Sequence, residues 1–160
     1  EHKLDVILSD CPLDSTQHPD LLSKKLGECG VSFFCQMPLP EKAFPECLME
    51  RKLLIPAKRT AMGRQLTRWF DEQGLAPQIF GEFDDAALMK AFGLFNQGIF
   101  VAPTLYQEEF LDSQTVALLG QTDALKEEYY AIFAERMIQH PAVKRLCESD
   151  FSALFAGLEQ

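Results

Sequence analysis

QIFGEFDDAALMKAFGLFNQGIFVAP, residues 78–103, is the stretch on which the fold turns. Residues 79–83 and 99–102 are short apolar runs, the first broken by Gly81 and Glu82 and the second closed by Pro103, and each has the length of a buried strand. Between them Leu88, Met89, Phe92 and Phe95 recur at helical spacing. Asp84 or Asp85 stands where an N-cap belongs, and Asn96 with Gly98 supplies the stop. Strand, helix and strand in so short a span predict a βαβ unit with parallel strands, and so an α/β fold.

The same pattern occurs just upstream. Residues 53–55 read as a strand stopped by Pro56, and Thr60 as the N-cap of a helix that Gly74 ends. Met62, Leu66, Trp69 and Phe70 fall at i, i+4, i+7 and i+8, which puts one apolar face on that helix. Residues 53–102 are therefore expected as β, α, β, α, β. Toward the N-terminus, residues 4–8 (LDVIL) predict an interior strand running into a hinge at Ser9, Asp10, Cys11 and Pro12. Residues 21–26 and 31–35 read as separate segments, the second a strand of β-branched and aromatic residues. Pro38, Pro40 and Pro45 predict a loop holding a single helical turn at 47–50. Toward the C-terminus come a short helical piece closing on Glu108, Glu109 and Asp112, strands at 115–119 and 129–134, and one final helix from Pro141. Val143, Leu146, Cys147, Phe151, Leu154 and Phe155 form its stripe.

With 160 residues and 47% apolar content, the chain is long enough to bury a real core. No apolar run approaches the ~18 residues of a membrane span, and no basic, apolar leader precedes the fold. A start on Glu1 reads as a piece of a longer protein. Five cysteines without CxxC spacing argue against a disulfide framework or zinc knuckle and favour a reducing cytoplasm. The net charge of −9, with scattered Lys and Arg, argues against nucleic-acid binding by this segment, because contacts to phosphates along a nucleic acid need clustered cations. The three histidines are far apart in sequence, and no HExxH, GxSxG or phosphate loop is present, so neither an enzyme nor a cofactor is expected.

GECGVSFFC (27–35), GEFDDAALMKAFG (81–93), FVAPTLY (100–106) and AIFAERMIQHPAV (131–143) resemble the effector-binding domain of LysR-type transcriptional regulators. The likeness runs over essentially the whole chain and is strongest to the family members that activate sodium/proton antiporter genes. It implies a type II periplasmic-binding-protein-like fold, mainly lobe II, with a mixed sheet flanked by helices. Residues 1–11 would be the end of lobe I and the first crossover, 12–136 lobe II, and 137–160 a helix returning to lobe I. The winged helix-turn-helix would lie outside this chain. DNA contact would then come only through that domain, Na+ would be the effector, and the intact regulator would self-associate as a dimer or tetramer. A solute-binding module for a small organic anion is the alternative.

The resemblance also implies a set of site residues. Thr60 and Arg64 open a helix where relatives hold effectors, and its exposed N–H groups suit an anion, although Thr60 also serves as a plain N-cap. Ser9 and Asp10 would face the interlobe cleft, or else hydrogen-bond within the hinge. Asn96 and Gln97 would lie at the same rim, or merely close their helix. From the residues themselves, Asp84 and Asp85 offer carboxylates to a cation, with helix capping as the competing role because the positive end of the helix dipole opposes a bound cation, and Glu82 and Asp84 alternate about Phe83 so that both could point to one side.

Overall fold

The computed structural model describes residues 5–156. Its contacts divide the chain into two compact units, residues 29–126 and residues 1–28 with 127–160, and two long strands, β2 (Leu21–Gln36) and β6 (Val116–Ala134), run through both.

In the 29–126 unit the parallel strands are β3 (Leu53–Pro56), β4 (Ile79–Phe83) and β5 (Ile99–Pro103). Helix α1 (Ala61–Glu72) links β3 to β4, and α2 (Ala86–Asn96) links β4 to β5. The parallel strands expected at 79–83 and 99–102 form, but they are not neighbours. β3 lies between them, with Leu54 opposite both Gly81 and Phe100. The first crossover steps outward to β4 and the second steps back past β3. Crossovers of one hand that move in opposite directions place their helices on opposite faces of the sheet.

The core follows from this arrangement. Leu53 and Ile55 of β3 join Val31, Phe33 and Cys35 of β2, Ile99 and Val101 of β5, and the α1 residues Met62, Leu66, Trp69 and Phe70 in one cluster. The alternate residues Leu54, Phe34, Phe100 and Ala102 point the other way and pack with Met89 of α2 and Phe110 of α3 (Gln107–Leu111). A strand covered on both sides needs apolar residues at every position, which is why these segments read as unbroken apolar runs. β2 is antiparallel to β5, from Val31 opposite Pro103 to Cys35 opposite Ile99, so the sheet is mixed.

In the other unit, β1 (Ile7–Ser9) pairs antiparallel with β6, Ile7 opposite Ile132 and Ser9 opposite Tyr130. The strand expected at 4–8 forms over Ile7–Ser9, but as an edge strand with Ile7 and Leu8 exposed rather than as an interior one, because β6 covers it on one side alone; residue 4 lies outside the described residues. Helices α4 (Pro141–Glu148) and α5 (Ser152–Ala156) follow β6.

Three expectations are corrected. The segments 21–26 and 31–35 are one strand, because Gly27 and Gly30 mark close approaches rather than turns. A Cβ on Gly27 would meet the Phe155 ring at 2.2 Å, and one on Gly30 would meet the Thr122 carbonyl at 2.7 Å. The strands at 115–119 and 129–134 are likewise one, continuous through Gly120, whose Cβ position is filled by the Phe44 ring. The single terminal helix is two, interrupted at Ser149, where Lys24 of β2 donates to the carbonyls of Leu146, Cys147 and Ser149 at 3.0, 2.6 and 2.8 Å.

Candidate effector site

Parallel strands present ligand sites beyond their C-terminal ends, where loops lead into helices. In the 29–126 unit that rim follows Pro56, Phe83 and Pro103. After Pro56 the chain turns through Ala57, Lys58 and Arg59 into Thr60, which is extended at φ −78° and ψ 160° and caps α1. Its Oγ1 accepts from Gly63 N at 3.0 Å and donates to Ala57 O at 2.7 Å, so the hydroxyl is used in both directions. Arg64 leans back over the turn and donates to Arg59 O at 2.6 Å.

The carboxylates after β4 meet this same turn. Glu82 accepts from the Lys58 backbone N–H at 3.0 Å and lies 3.6 Å from its ammonium, while Asp84 forms a short ion pair with Arg59. Asp85 accepts from Leu88 N at 2.7 Å and caps α2. Thr60, Arg64, Glu82 and Asp84 are thus brought together around Lys58 and Arg59, while Asp85, next in the chain, is taken up by the α2 cap. Those two cations were missed from the sequence, and the signal was their place between a strand-ending proline and an N-cap.

Each of the three carboxylates already has a cation or a backbone N–H to serve. Among the described residues, no group of three or more His, Cys, Asp or Glu side chains converges to hold a metal ion. A monovalent cation needs several uncommitted oxygens, and the carboxylates of this rim do not form that shell.

Asn96 and Gln97 lie at the opposite, N-terminal end of the parallel strands. Asn96 Nδ2 donates to Phe92 O at 3.0 Å, and Gln97 takes the left-handed conformation (φ 53°) that ends α2, a role expected for Asn96 with Gly98. The next residues start β5, where Ile99 N donates to Lys52 O at 2.8 Å, and Leu53 N beside it donates to Gln78 O at 2.9 Å. Asn96 and Gln97 line a depression of about 410 Å³ with Arg51, Lys52 and Gln78. The length of a four-residue strand, roughly 13 Å, separates this end from Thr60.

Ser9 and Asp10 belong to the other unit. Ser9 Oγ donates to Cys11 O at 3.0 Å and accepts from Cys11 N at 3.1 Å, and Asp10 Oδ1 accepts from Cys11 Sγ at 3.3 Å, all within one tight turn. In the same unit Glu127, which no sequence pattern singled out, has its carboxyl pushed up to about 7 by burial and by the charge of Asp10.

The model of the LysR substrate binding domain matches residues 1–149. The chain is 61% identical over 156 residues to the transcriptional activator protein NhaR of Escherichia coli, and equally to that of Shigella flexneri, covering 98% of this chain and 52% of each relative. It therefore spans about half the length of the curated relatives it matches. Among solved structures, DarR of Vibrio fischeri in complex with DNA superposes with a TM-score of 0.67 at 25% identity, over 90% of this chain and 50% of that one. A doubly covered mixed sheet, a polar rim at the ends of its parallel strands and a family match over nearly every residue agree: the chain belongs to the LysR substrate-binding domain family.

Proposed function

We propose that this chain is the effector-sensing part of a LysR-type transcriptional activator that responds to Na+ and controls sodium/proton antiporter genes. In this reading the regulator is cytoplasmic, assembles as a dimer or tetramer, and reaches DNA through a region outside the chain. The observation that carries it is 61% identity to NhaR along 98% of the chain. The test is a graft: residues 1–156 replace the corresponding half of Escherichia coli NhaR, and an antiporter-promoter reporter is read in NaCl and KCl at equal ionic strength. Induction by NaCl alone is expected. Equal responses to both salts, or to neither, would overturn the Na+ assignment.

A small organic anion at Thr60 and Arg64 is the second reading. It is favoured by the chemistry of the rim, where the acidic groups are engaged and the Arg64 guanidinium, beside the first turn of α1, has donors beyond the one it gives to Arg59 O. Melting of the chain against a panel of small carboxylates separates the two. Stabilisation by a carboxylate that vanishes in Arg64→Ala, without a difference between NaCl and KCl, would select the anion. Ser9 and Asp10, and Asn96 and Gln97, enter the same scan as alanine variants, because they too are proposed effector contacts.

A further inference from the structure

Gln65 sits on α1 five residues beyond Thr60, and its side-chain amide grips the backbone of β6. Its Nε2 donates to Lys126 O at 3.0 Å, and its Oε1 accepts from Lys126 N at 3.1 Å. Among the described residues β1 pairs with β6 from Ile132 to Tyr130, and at Lys126 the Gln65 amide supplies both a donor and an acceptor to the strand backbone. Next to this contact Leu125 is fully buried in the cluster that holds Met62 and Leu66 of α1. Lys126 is also the last residue of the 29–126 unit, and β6 continues beyond it to Ala134.

We propose that Gln65 is a positioning residue that couples the first turn of α1 to β6, so that a change at Thr60 and Arg64 is felt at Lys126. The regulatory meaning rests on the reading of the α1 end as the sensing site; the coupling itself does not. A helix moves as a rigid element, and a two-point amide grip holds β6 in register with it where a single hydrogen bond would swivel.

The test is a double-mutant cycle read by amide hydrogen exchange in this chain, with no effector present. Gln65→Met keeps the length of the side chain and removes both hydrogen bonds, and exchange at the Lys126 amide should rise about tenfold. Thr60→Ala loosens the first turn of α1 and should raise exchange at Lys126 severalfold in the parent chain. In the Gln65→Met background it should add nothing. If Thr60→Ala leaves Lys126 unchanged, or raises its exchange by the same factor in both backgrounds, the coupling is refuted. Exchange at Leu54 and Phe100 in the core reports global opening. If it rises in step with Lys126, the effect is lost stability and the coupling is likewise refuted. A graft blind to Na+ would sink the functional reading and leave this cycle standing, whereas additive exchange would sink the coupling whatever the effector.

Discussion

Gly63 occupies a position with no room for a side chain, since a Cβ there would come within 2.1 Å of Ala57 O. That carbonyl accepts from both the backbone N–H and the hydroxyl of Thr60, so Gly63→Ala would push the cap off α1. The expected loss is ~1–3 kcal/mol, typical of overpacking, read from the urea midpoint. An unchanged midpoint would mean that the turn yields freely. Glu127 carries the pH dependence. Its carboxyl is raised from 4.5 to about 7, so the folded chain holds the proton more tightly than the unfolded one. The stabilisation is complete below the unfolded value and disappears as pH rises through about 7. Because the group is partly solvated, ~1–2 kcal/mol is a fair scale. Melting between pH 5 and pH 8 should fall more steeply for the parent chain than for Glu127→Gln, and parallel curves would dismiss the residue as the source.

Lys24 decides the end of α4 at the scale of elements. Its three ammonium donors satisfy carbonyls that the last turn of a helix leaves unpaired, and its positive charge meets the negative end of the dipole. Asp150 then accepts from Ser152 N at 2.8 Å and opens α5, which is why an apolar stripe continuous in sequence becomes two helices. Lys24→Met keeps the bulk and removes the donors. It should cost ~1–3 kcal/mol and raise exchange first at residues 146–152, and protection equal to that of the parent there would contradict this role for the ammonium. Helix α2 shows the reverse relation between pattern and packing. Of its periodic apolar residues only Met89 is buried, with Gly93, while Leu88, Phe92 and Phe95 remain 51, 46 and 88% exposed. A Cβ at Gly93 would lie 2.4 Å from the Phe100 ring, so the helix rests on the sheet through its smallest residue rather than its largest.

Across the whole molecule, a charge of −9 with Lys and Arg scattered along the sequence predicts no selective retention of antiporter-promoter DNA by this chain alone in a low-salt mobility shift. A sequence-selective complex would overturn that. Local chemistry was legible in the sequence. Thr60 and Asp85 cap their helices as read, Pro56 and Pro103 close their strands, and the stripe Met62, Leu66, Trp69 and Phe70 is buried, because caps, prolines and helical period act within a few residues of themselves. Everything that depended on partners distant in the chain was decided by tertiary structure. β3 slips between the strands of the βαβ unit, and Gly27, Gly30 and Gly120 run through strands because rings and carbonyls fill their Cβ positions. The site residues sort in the same way. Thr60, Arg64, Glu82 and Asp84 come together because β3 and β4 are adjacent and parallel, whereas Asn96 and Gln97 precede β5 and fall at the other end of the strands. Strand direction sets which end of the sheet a loop occupies, and that direction is settled by pairing across the sheet, not by the residues of the loop itself.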